Sequence, residues 1–136
     1  VFAVAVRRDA RGVVFTLRGE LDFDSVVQLH DAAERELGRR DAGPVVVDCA
    51  ALSFCDSSGV SALIRLARQL TARDRELRLA AVPASVSRLF SLTGLDQLFA
   101  VHRDVAEALA GVAAGRGMVV AGGSDEPVRP SEGESA

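Results

Sequence analysis

The apolar residues of this chain change their spacing from segment to segment, and that succession of periods restricts the fold more than any other feature. Near the start they fall on every second residue: Val4 and Val6, then Val13, Phe15 and Leu17, around the turn-like Asp9-Ala10-Arg11-Gly12. Such alternation specifies two half-buried strands joined as a hairpin. The period then becomes helical. Val26, Leu29, His30, Ala33 and Leu37 share one helix face, with Asp24 or Ser25 as the N-cap and Gly38 at the exit. Val45-Val46-Val47, opened by Pro44, has no alternation, as in a strand covered on both faces. A second helical stripe follows at Val60, Leu63, Ile64, Ala67 and Leu70. Leu77, Leu79, Ala81 and Val82 predict another strand, ended by Pro83. Val86, Leu89 and Phe90 then form the inner face of a short helix leaving through Thr93-Gly94. Residues 98–101 read as a last strand and residues 105–109 as a terminal helix.

Strands alternating with helices predict an α/β layer structure with right-handed crossovers. The later strands are expected to be parallel and the opening hairpin antiparallel. The sheet should therefore be mixed, with four to five strands and about four flanking helices. A length of 136 residues suits one domain, and 49% apolar composition supports a substantial core. With no Trp or Tyr and six Phe, that core must be packed mainly from Val, Leu, Ile and Ala. The domain is expected over residues 1–115. Residues 116–136, rich in Gly, Ser, Pro and acids, read as a disordered tail.

Charge narrows the partners. Asp125, Glu126, Glu132 and Glu134 face only Arg129 within residues 117–136, so this stretch carries the whole net charge of −3. The remainder is neutral, with no basic stripe, which argues against direct nucleic-acid binding. No apolar run approaches the roughly 20 residues of a spanning helix, and the N-terminus is apolar before it is basic, the reverse of a secretory signal. A cytoplasmic protein with no membrane contact is the expectation.

No catalytic set can be assembled from these residues. Cys49 and Cys55 lack the further ligands of a zinc site and read as small buried residues, so neither metal nor cofactor is expected. His30 lies on an apolar stripe and reads as partly buried, whereas His102 follows a strand and reads as solvated. Gly59-Val60-Ser61-Ala62-Leu63 begins like a nucleophile elbow, but Leu63 replaces its second Gly. A phosphate-binding loop is also missing, since the chain has no Gly-rich run and no Lys. What remains is Asp56-Ser57-Ser58-Gly59, placed directly before a helical stripe. On residue type alone its role is helix capping, and a capping position also suits a phosphate.

Taken in order, four segments resemble bacterial anti-sigma factor antagonists built on the STAS domain. These are Gly19-Glu20-Leu21-Asp22; Val45-Val46-Val47-Asp48 leading through Leu52-Ser53-Phe54 to Asp56-Ser57-Ser58-Gly59; Pro83-Ala84-Ser85-Val86-Ser87-Arg88-Leu89-Phe90; and Thr93-Gly94-Leu95. The likeness covers roughly residues 2–112. It implies a phosphoacceptor at Ser57, with Asp56, Ser58 and Gly59 completing the motif and Asp22 beside it as part of the partner-binding face. The implied partners are an anti-sigma factor with serine kinase activity, bound by the unphosphorylated form, and a resetting serine phosphatase. Asp22 also reads as a loop carboxylate or a cap for the first helix. Family members often carry Gly where this chain has Ser61, a side chain that would limit how closely a kinase packs. The alternative within the same fold is an adaptor or regulatory subunit of a transport or signalling complex, which would not depend on modification of Ser57.

Overall fold

In the computed structural model, which describes residues 1–94 and 97–110, the chain runs β1 (Phe2–Asp9), β2 (Gly12–Leu21), α1 (Val26–Leu37), β3 (Val45–Cys55), α2 (Ser57–Thr71), β4 (Leu77–Ala80), α3 (Ala84–Thr93), β5 (Ala100–His102) and α4 (Val105–Leu109). The strands form a single sheet in the order β1-β2-β3-β4-β5. β1 pairs antiparallel with β2, and the other ladders are parallel. The mixed α/β sheet expected from the changing periods is therefore present. The expected tail, residues 116–136, lies outside the described residues.

The hairpin turn is set locally, because Asp9 Oδ1 accepts a 2.8 Å bond from the Arg11 N–H. Beyond it, side chains alternate between two layers. Phe15, Leu17, Val45, Val47 and Leu79 join the large core beneath α1, α2 and α3. Val14, Val46 and Ala80 face the other way and meet Ala108 and Leu109 of α4. This explains the unbroken Val45-Val46-Val47: all three are buried, on opposite faces of the sheet. Val6 has no such cover on the edge strand and is half-exposed.

Three features differ from the sequence expectation. β3 extends through Cys55, because register irregularities let it take up extra residues against β2 between Thr16 and Arg18 and between Gly19 and Glu20. β4 stops at Ala80: Ala81 turns left-handed at φ 56° and donates its N–H to the His102 carbonyl at 3.1 Å. The last strand begins two residues later than expected, so Leu98 is exposed and His102 is inside. His102 is buried rather than solvated, because it pairs with Ala80 on the face that α4 covers. Its Nδ1 lies 3.9 Å from Glu107 Oε1 on α4.

Candidate functional site

The site is built where the C-terminal ends of β2 and β3 meet. In the last rung of the parallel ladder Leu21 stands opposite Cys55, and the Asp56 N–H then donates to the Leu21 carbonyl at 3.1 Å. That bond holds the start of α2 against the end of β2. C-terminal strand ends are where an open parallel sheet leaves room for binding, since the chain turns away there into helices.

Asp56 is the N-cap of α2, and its carboxylate accepts the Gly59 N–H at 3.0 Å. It answers one of the unpaired donors of the first turn, the capping role expected of this motif. Ser57 is not itself the cap but the first helical residue. It is exposed, and no other described residue hydrogen-bonds its hydroxyl. An alcohol in that position is open to a modifying enzyme. The N-terminal end of the helix dipole and the unpaired N–H groups of the first turn favour an added anion there. Ser58 is half-buried behind it, and Ser61 is exposed one turn further along.

Gly59 is buried, and its place in the motif is one of space. A Cβ there would stand 2.7 Å from Cys55 Sγ and 2.9 Å from both Leu21 Cγ and the Leu21 carbonyl oxygen. Glycine thus lets α2 settle directly on the end of β2, which sets where Ser57 emerges. Cys55 beneath it and Cys49 further back are buried free thiols, as read from the sequence. Burial foremost pushes the Cys49 thiol up to about 12, with Asp48 and Cys55 adding to it; burial and then Asp56 push Cys55 to about 12. Both stay protonated in the folded chain. Unfolded thiols ionise near 8.5, so the unfolded state ionises first. Stability is expected to hold below about pH 8 and to fall as pH climbs towards 12. At neutral pH both thiols should resist iodoacetamide until the chain is unfolded. Rapid labelling of the folded protein would show this packing to be wrong.

The neighbouring loop carries Asp22, and it is held as firmly. Asp22 Oδ1 accepts from the Asp24 N–H at 3.1 Å and the Ser25 N–H at 3.0 Å. The Ser25 hydroxyl donates to the Glu20 carbonyl at 2.7 Å and accepts the Asp22 N–H at 2.9 Å. Ser25 is the N-cap of α1 by position, yet its side chain makes no capping bond. It braces the loop instead, a role its residue type alone does not reveal. The structure thus brings Asp22, Asp56, Ser57 and Ser58 to one end of the sheet with Gly59 packed beneath. His30 lies apart from them on α1 and is half-buried as expected. Among the described residues no His, Cys, Asp or Glu group is arranged to hold a metal ion, and no helix is long and apolar enough to cross a membrane.

Comparison with known proteins agrees with this architecture. The STAS domain family model matches residues 3–108. The anti-sigma-B factor antagonist of Staphylococcus aureus is 33% identical over 86 residues, which span 62% of this chain and 77% of that protein. The structure of SpoIIAA, a Bacillus cell fate determinant, in its phosphorylated form aligns with a TM-score of 0.63 and 26% identity, over 79% of this chain and 97% of that one. An anti-sigma factor antagonist from Mycobacterium paratuberculosis shares the fold at a TM-score of 0.74 and 24% identity, over 82% of this chain and 94% of that one.

Proposed function

The chain belongs to the STAS domain family, and from that premise we propose that it is an anti-sigma factor antagonist switched by phosphorylation of Ser57. Unphosphorylated, it binds an anti-sigma factor that is also a serine kinase, and so releases a sigma factor. Phosphate on Ser57 ends that binding, and a serine phosphatase restores it. The chemistry at Ser57 is done to this protein by its partners in the cytoplasm.

One observation carries the reading: Ser57 is an exposed hydroxyl at the first position of α2, directly after Asp56, whose N–H is bonded to the Leu21 carbonyl. A capping serine would be engaged with backbone N–H groups, whereas here Asp56 takes that role and leaves the Ser57 hydroxyl available. Antagonist relatives, one of them solved in a phosphorylated form, support the same role. Asp22, Asp56 and Ser58 form the partner-facing rim, and Gly59 fixes its height. The test is incubation with the kinase-type anti-sigma factor and ATP, followed by mapping of the modified residue. One phosphate on Ser57, absent in Ser57→Ala, is the expected result. Phosphate elsewhere, or none, would leave the adaptor reading as the better one.

A further inference from the structure

Four of the six Phe residues are buried: Phe2, Phe15, Phe90 and Phe99. The other two, Phe23 at 78% exposure and Phe54 at 50%, stand in water at the candidate site. Phe23 follows Leu21 by two residues and Phe54 precedes Asp56 by two, and Leu21 and Asp56 are the pair joined by the 3.1 Å backbone bond. The two residues therefore belong to the segments that leave β2 and enter α2 at the joint from which Ser57 emerges. Neither ring belongs to the buried core. Phe54 lies opposite the exposed Glu20 in the ladder, and the turn around Phe23 is held by Asp22 and Ser25 rather than by its ring. One exposed apolar side chain is ordinary. Two aromatics at one end of a sheet, in a chain without Trp or Tyr, mark an interaction surface.

Within the two segments that carry them the charges have one sign. Glu20, Asp22, Asp24 and Asp56 lie in residues 20–27 and 53–60, and those stretches contain no Arg. Resting on the reading of Ser57 given above, we infer that Phe23 and Phe54 are the apolar anchors of the docking surface. The partner they fit is a protein presenting an apolar pocket to each ring, rimmed by Arg or Lys that meet the four carboxylates. Aromatic side chains that become fully desolvated carry most of an interface's affinity, while rim charges set its rate and salt dependence. Ser57 is exposed three residues beyond Phe54, so a partner seated on that ring excludes water from the hydroxyl. Seating both rings would require stripping water from a phosphate at Ser57, which links modification to release without moving either ring.

The test titrates the full-length wild type, Phe23→Ala, Phe54→Ala and the double variant with each purified ADP-loaded serine-kinase anti-sigma factor of the same genome. Each titration is run at about 50 mM and about 500 mM salt, where screening differs several-fold. Each single variant should bind about 10- to 100-fold more weakly, with its thermal midpoint and the ratio of affinities at the two salts unchanged. Asp24→Asn should instead lower that ratio. If the wild type binds and the double variant binds as well, the anchors are overturned and the proposed function stands. Weaker binding accompanied by a loss of the folded state also counts against the anchors. If the wild type binds none of these partners, the proposed function falls and the anchors with it.

Discussion

Phosphorylated at Ser57, the chain is expected to bind the proposed kinase-type partner about 30- to 150-fold more weakly than the unmodified chain, with Ser57→Asp weakened in the same direction by less. A phosphoserine adds about −1.5 to −2 charges. Asp56 immediately precedes it, and the Asp22 loop is tied to the same joint. A partner that transfers a phosphoryl group to this hydroxyl must hold the phosphates of its nucleotide opposite the hydroxyl. After transfer, two anions face each other across a dry interface. A penalty of about 2–3 kcal/mol, the strength of one charge-assisted hydrogen bond, gives the stated factor. The chain itself should not unfold, because the new charge meets the positive end of the α2 dipole. Calorimetric titration of the unmodified, phosphorylated, Ser57→Asp and Ser57→Ala forms separates these effects. The Ala form should bind well and resist modification. Undiminished binding by the phosphorylated form would falsify the switch.

The place of the candidate site in the fold is its most legible part in the sequence. Asp56 and the stripe behind it mark a helix start by residue type alone, and the sheet class follows from the change of period. What local pattern does not reveal is the division of labour within the motif. Whether Asp56 or Ser57 caps depends on where the helix begins, and that is fixed by the bond from Asp56 to Leu21, 35 residues back in sequence. Gly59 reads as a motif letter until Cys55 and Leu21 are seen pressed against it. His102 departs from its solvated reading for the same reason. Its burial comes from α4 folding over a three-residue strand, a contact between elements with no signature in the strand itself. Phe23 and Phe54 are apolar letters in segments without a periodic signal, so only their exposure sets them apart from the buried four.

Replacing Glu36 by Ala or Gln is expected to cost about 3–5 kcal/mol of stability, a large part of the roughly 5–15 kcal/mol that holds a small domain together. In sequence Glu36 sits in Glu34-Arg35-Glu36, and nothing there marks it as buried. In the fold it is only 1% exposed, at the end of α1 remote from Ser25. Its Oε2 lies 2.9 Å from Arg75 Nη2 and its Oε1 2.8 Å from Arg8 Nη1. Arg75, itself buried, also donates through Nε to the Gly43 carbonyl at 2.9 Å, and Arg8 reaches Asp41 at 2.9 Å. One carboxylate thus joins α1, β1, the 38–44 loop and the residues leading into β4. Removing it strands the Arg75 guanidinium in the interior, and that uncompensated charge accounts for most of the cost. A control follows from the same physics. Exchanging Glu36 and Arg75 together for Met removes both charges, and should recover most of the loss despite deleting the ion pair. Urea denaturation of the two variants decides the matter. A single substitution costing under about 1 kcal/mol would mean that water reaches the pair. Because the network lies at the opposite end of α1 from the Asp22 loop, the proposed phosphorylation of Ser57 should persist in the Glu36→Gln chain below its lowered midpoint, which separates the residues that hold the fold from those proposed to carry the switch.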